Sequence, residues 1–104
     1  MTPANLLSLD NQKLNTLLVS RGKDHMATEL EGEVVLLDLA SNNFVGLDAV
    51  GSAIWQLLEQ PISFHNLCQR LMAKYNVTED VCRADVLSFL KELGESNLIT
   101  VSEE

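Results

Sequence analysis

Positive charge is scarce in this chain of 104 residues: seven Lys and Arg residues stand against fifteen Asp and Glu residues, for a formal net charge of −8. Proteins that bind duplex DNA or RNA neutralise several phosphates with cationic side chains. Because the basic residues stand singly along the chain and are outnumbered, the sequence disfavours a nucleic-acid partner. A neutral or basic peptide fits the charge better.

Cysteine is scarce as well, with Cys68 and Cys82 the two in the chain. They form neither a disulfide framework nor a usual pair of metal ligands. His65 precedes Cys68 by three positions and would share a helix face with it, but Cys68 already belongs to an apolar stripe. We therefore expect two buried thiols and neither a metal ion nor a cofactor.

Motifs for catalysis are absent too. The five glycines stand singly, so there is no phosphate-binding loop, and His25 and His65 lack a partner at a spacing that suggests a dyad. No apolar run approaches the roughly 20 residues that cross a bilayer, and the start of the chain has no cationic secretion signal. We expect a cytoplasmic protein that is not an enzyme.

The chain does contain 46% hydrophobic residues, enough for one compact domain. We assign residues 19–104 to this domain and residues 1–18 to an N-terminal arm. Leucines in the arm predict either a short helix that packs on the domain or a contact surface for a second copy or a partner. These leucines are Leu6, Leu7, Leu9, Leu14, Leu17 and Leu18.

Residues 26–47 predict a three-stranded antiparallel meander. Apolar and polar residues alternate from Met26 to Leu30, and Glu31–Gly32 suits a tight hairpin turn. The run from Val34 to Leu37 favours a second strand, in which we expect Val35, Leu37 and Leu39 to face the core together. A turn over residues 40–43 then leads to the third strand.

Three helices are predicted after the meander. Asp48, Ser63 and Thr78 are suitable N-caps for them, and the last helix ends at Gly94 or near Asn97. The predicted fold class is therefore α+β. Its architecture is winged helix-turn-helix-like, with a three-stranded antiparallel sheet packed on three helices.

The third strand of the meander is a candidate binding edge. No charged residue lies between Asp38 and Asp48 to protect it, and a glycine in the strand lets another backbone come close. An extended peptide adds readily to such an edge, unless the N-terminal part of the chain already covers it. The strand residues are Asn43, Phe44, Val45, Gly46 and Leu47.

The last predicted helix offers a second candidate surface. With 100° per residue, Arg83, Leu87 and Lys91 lie on one flank of its core stripe, next to Leu90. Leu87 either packs under the strands or the arm, or lines a groove that faces the edge strand.

Several segments, taken in order, resemble the PqqD family, which includes the leader-recognition elements of ribosomally made and modified peptides, among them lasso-peptide systems. The resemblance extends over about residues 19–101. The segments are 34–39 (Val-Val-Leu-Leu-Asp-Leu), 44–48 (Phe-Val-Gly-Leu-Asp), Gly51, Ile54-Trp55, Leu57-Leu58, Leu67, Leu71, Tyr75-Asn76-Val77, Asp85-Val86, Phe89-Leu90, Leu93 and Leu98-Ile99.

This resemblance implies that a leader peptide adds as a strand to the third strand of the meander and lies against the third helix. The hypothesis is a non-catalytic adaptor that presents the leader to a modifying enzyme or leader peptidase. Two alternatives stay open: a winged-helix nucleic-acid-binding protein or transcription cofactor, and a homodimer or larger homo-oligomer formed through the N-terminal leucines.

Overall fold

The computed structural model describes residues 11–103, which form four helices and six strands. In chain order these are α1 (Asn11–Thr16), β1 (Leu17–Arg21), β2 (His25–Leu30), β3 (Glu33–Asp38), β4 (Asn43–Gly46), α2 (Ala49–Leu57), β5 (Ile62–Ser63), α3 (Phe64–Lys74), α4 (Glu79–Glu95) and β6 (Ile99–Glu103). The predicted α+β fold class is confirmed.

The meander β2-β3-β4 has the predicted order and antiparallel direction. Its first turn uses two residues with positive φ, Glu31 at 55° and Gly32 at 86°. Two residues of this kind join antiparallel strands with the twist that such strands prefer. We call this sheet the wing.

A second sheet, in the order β5-β1-β6, was not predicted. Here β1 pairs antiparallel with β6 from Leu17 opposite Glu103 to Arg21 opposite Ile99, and pairs with the short β5 on its other side. The sequence of neither segment indicates its partner, because the two lie about 80 residues apart in the chain. This sheet joins the two ends of the described chain.

The wing buries the opposite face of β3 from the one predicted. Val34 and Leu36 are 3% and 0% exposed, whereas Leu39 is 44% exposed and Val35 and Leu37 are half-buried. The expectation that Val35, Leu37 and Leu39 face the core together is therefore wrong by one residue. Both faces of β3 are apolar, so the alternation by itself does not tell which one is inside.

Each predicted N-cap accepts a hydrogen bond from the backbone three residues ahead. The donors and distances are Gly51 N to Asp48 Oδ1, 2.7 Å, Asn66 N to Ser63 Oγ, 3.1 Å, and Val81 N to Thr78 Oγ1, 3.4 Å. These bonds satisfy amide groups that a helix leaves without an internal partner. The three predicted helices correspond to α2, α3 and α4, and α4 ends at Glu95.

Residues 11–18 pack on the same core as the rest of the described chain. Leu14 of α1 and Leu17 of β1 are 3% and 2% exposed, and α1 contacts α3. The predicted boundary between the N-terminal arm and the domain, between residues 18 and 19, falls inside β1 and stays a prediction. The leucines at positions 6, 7 and 9 lie outside the described residues.

Candidate functional site

Strand β4 is the edge of the wing. Among residues 11–103, β3 is its single strand partner. Leu47 N donates to Val34 O at 2.8 Å. Because bonded pairs alternate along an antiparallel ladder, Phe44 and Gly46 then direct their N–H and C=O groups away from β3. The free edge therefore presents two donors and two acceptors.

The side chains of β4 leave this edge accessible. Phe44 is 73% exposed, Asn43 and Gly46 are exposed, Val45 is half-buried and Leu47 is buried. A Cβ atom added to Gly46 would meet no heavy atom within 4 Å. The N-terminal strand β1 pairs with β5 and β6, so the described part of the N-terminal region does not add to this edge.

A cleft of about 160 Å³ runs between β4 and α4. Val45 and Leu47 lie on one side of it, and Phe89 and Glu92 of α4 lie on the other, with Ser96 just after the helix. Phe89 and Glu92 also line a second depression of about 380 Å³ between α2, α3 and α4, which we call the helix groove. A peptide on β4 would therefore have a recess beside it that is lined by both apolar and polar side chains.

Gly51 brings α2 and α4 together at the junction of the cleft and the helix groove. A Cβ atom at this position would lie 2.9 Å from Phe89 Cε1, closer than side chains pack. A glycine early in a helix is unfavourable relative to alanine, and it is the sequence signal for this close packing.

The predicted flank of α4 does not line this cleft. Leu90 is 0% exposed, and Leu87 is half-buried against the core. Arg83 donates to Asn15 Oδ1 at 2.7 Å, and its guanidinium lies 5.0 Å from the centre of the Phe64 ring. Lys91 is absent from the lining of the cleft.

The predicted flank and the residues that line the cleft point in different directions around α4. Leu87 and Phe89 are two positions apart and hence about 200° apart around the helix. The angle of 100° per residue gives the positions of residues around α4 relative to one another, but it does not show which side of α4 the wing occupies. Peptide contact by Arg83, Leu87 and Lys91 stays a prediction, and it requires a path other than this cleft.

The two cysteines lie together in the core, as the sequence predicted. Cys82 Sγ donates to Cys68 O at 3.7 Å, and both thiols are free and buried. Burial raises the pKa of Cys68 to about 12 and raises the pKa of Cys82 as well. Within residues 11–103, no three His, Cys, Asp or Glu side chains lie close enough to hold a metal ion.

We expect the two cysteines to contribute less to the stability of the fold as pH rises. The folded pKa of Cys68 lies above that of an unfolded thiol, ~8.5, so its contribution is complete below that value and is lost as pH approaches 12. Urea unfolding at pH 8 and pH 10.5 should show a larger loss of stability for the wild type than for Cys68→Ala. Equal losses would contradict this assignment.

None of the helices in the described range is long and apolar enough to span a membrane. The chain matches the family model described as "Coenzyme PQQ synthesis protein D (PqqD)" over residues 33–99. Among the curated proteins no match was found.

Two solved structures share the fold. "TbiB1 in Complex with the TbiA(beta) Leader Peptide" is 32% identical, with a TM-score of 0.72 over 77% of this chain and 93% of that chain. "Lasso peptide synthetase B1 complexed with the leader peptide" is 21% identical, with a TM-score of 0.71 over 79% of this chain and 96% of that chain. Their arrangement of wing and helices is therefore shared by this chain.

Proposed function

The chain belongs to the PqqD family, and from this membership we propose that it is a non-catalytic adaptor that holds the leader of a ribosomally made precursor peptide. The leader adds to β4 as an extra strand and lies in the cleft against α4. The observation that carries this proposal is the uncharged β4 edge, which is unpaired among residues 11–103 and lies beside a recess lined by Phe89.

The backbone of β4 and the cleft contribute differently to binding of the leader. About four hydrogen bonds to Phe44 and Gly46 would contribute ~2–6 kcal/mol in total. Association and ordering cost at least ~4 kcal/mol, so backbone pairing alone gives weak binding that is blind to sequence. Apolar side chains of the leader must therefore enter the cleft beside Val45 and Phe89 to supply both affinity and selectivity.

The adaptor acts by tethering. A leader held near a modifying enzyme or a leader peptidase raises the effective concentration of the attached core peptide without any catalytic residue in the tether. TbiB1, 32% identical to this chain, is in complex with the TbiA(β) leader peptide, which supports a leader as the ligand here. We place this step in the cytoplasm, where precursor peptides are synthesised.

No observation favours the nucleic-acid alternative. The surfaces of α4 next to the wing and to α2 carry the carboxylates Asp85 and Glu92, which would repel phosphates. The homo-oligomer alternative depends in part on leucines outside the described residues.

The proposal is tested with the full chain and a displayed library of random peptides long enough to span β4. An enriched peptide, resynthesised with a fluorophore, should bind at about micromolar Kd. It should also slow hydrogen exchange at the amides of Phe44 and Gly46, because these donate to an added strand. Failure to enrich any peptide, or protection elsewhere with these two amides unchanged, would overturn the proposal.

A further inference from the structure

Three recesses meet at the end of β4 nearest Gly46. One lies at the hairpin turn of the wing and is bordered by Glu31, Glu33 and Gly46. The second is the cleft between β4 and α4, and the third is the helix groove. Asp48, the N-cap of α2, lines all three. A strand that runs past Gly46 would therefore lie beside all three recesses, which we call together the depression.

This depression is acidic along its whole length. Five carboxylate side chains line it, and no Lys, Arg or His is among its described lining residues. The opposite end of β4 has uncharged turn residues, Ser41, Asn42 and Asn43. The carboxylate opposite Asn43, that of Asp38, is 8% exposed and accepts hydrogen bonds from Ala40 N and Ser41 Oγ. The five acidic residues are Glu31, Glu33, Asp48, Asp85 and Glu92. Lys74 Nζ lies 5.6 Å from the centre of the ring of Tyr75, which lines the groove.

The helix groove also has an apolar floor. Ile54 and Val86 are 2% and 1% exposed at its base, while Val50 and Val77 at its rim are 43% and 41% exposed. An apolar floor below carboxylates suits Lys and Arg, because their long stems are apolar and their head groups are charged. A purely apolar segment would match the floor but not the carboxylates, and the carboxylates would repel an anionic segment.

We propose that the peptide bound at β4 carries a Lys- or Arg-bearing segment at the Gly46 end, and that this segment lies in the acidic depression with its cation beside Asp85 and Glu92. The inference rests on the proposed function and adds the chemistry of the ligand. It also assigns a direction to the peptide: backbone pairing alone accepts either direction, whereas charge at one end of the edge distinguishes them.

The short connection between β4 and α2 supports this path for the bound peptide. Gly46 ends β4, and two residues later Asp48 caps α2, so the N-terminal turn of α2 lies where the added strand would leave the edge. Phe89 and Glu92 line both the cleft and the helix groove. A peptide in the cleft would therefore lie against two residues that also border the groove.

The test uses a peptide enriched by the full wild-type chain from the random library, measured by fluorescence polarisation. The variant Asp85→Asn/Glu92→Gln should bind it about five- to tenfold more weakly. The matched control is Glu79→Gln/Glu95→Gln, which removes two exposed carboxylates of the same helix that do not line the depression. It should change the affinity by less than about twofold.

A second peptide, with its Lys and Arg residues replaced by Gln, completes the comparison. It should bind the wild type as weakly as the original peptide binds Asp85→Asn/Glu92→Gln, and that variant should not discriminate between the two peptides. This inference is overturned if the enriched peptides contain no Lys or Arg, or if the two double variants lose the same amount of affinity. Either result leaves the adaptor proposal standing. If no peptide is enriched, the adaptor proposal itself is contradicted.

Discussion

Gly46→Pro is expected to weaken peptide binding by about tenfold or more while the free protein keeps its fold. Proline removes the N–H that Gly46 directs away from β3, which costs the complex one backbone hydrogen bond, ~0.5–1.5 kcal/mol. Its ring also occupies the space into which an added strand must come. The ladder to β3 loses nothing, because position 46 is not one of its bonded pairs.

Gly46→Ala is the matched control for this prediction. Alanine keeps the outward N–H, and its Cβ meets no heavy atom within 4 Å in the free protein. We expect its affinity for the library-derived peptide to stay close to that of the wild type. Fluorescence polarisation gives the affinities, and circular dichroism with urea unfolding verifies the folds. If Gly46→Pro binds as tightly as Gly46→Ala, the peptide does not add to β4.

The second large effect concerns stability. Gly22→Ala is expected to lower the free energy of unfolding by about 3 kcal/mol. Gly22 follows β1, and its N–H donates to Leu98 O at 2.8 Å, just before β6 begins. A Cβ atom at this position would overlap the carbonyl oxygen of Asn97. Since the obstacle is backbone, relief requires β1 and β6 to separate.

Urea unfolding of Gly22→Ala, Gly46→Ala and the wild type measures this effect. Both variants place alanine at a glycine in or next to a strand, and they differ in what the new methyl group meets. A domain of this size is stabilised by roughly 5–15 kcal/mol, so the loss at Gly22 should be easily resolved. Similar midpoints for the two variants would show that β1 and β6 are not packed as described.

The two variants separate the roles of the two sheets. The sheet β5-β1-β6 joins distant parts of the chain and holds the core together, so Gly22→Ala acts on folding. The wing leaves one edge unpaired among the described residues, so Gly46→Pro acts on the ligand. Gly22 therefore permits close packing in one sheet, whereas at position 46 the outward N–H is available to a ligand.

The features that were read correctly from the sequence are those decided by neighbours in the chain. Asp48, Ser63 and Thr78 cap helices because each side chain reaches an amide three positions ahead. Glu31–Gly32 forms the hairpin turn because two adjacent residues supply the backbone angles that it needs. The absence of charge between Asp38 and Asp48 likewise indicated an unprotected edge.

Long-range packing decided the rest. The sequence by itself determined the helices with their caps, the order of the wing strands and the position of the edge, since these depend on contacts within a few residues. Only the tertiary structure decided that β1 pairs with β6, that Val34 and Leu36 rather than Val35 and Leu37 are inside, and that Phe89 rather than Leu87 faces the wing. Strands and helices with more than one apolar face leave such choices open, and the packing of distant elements settles them.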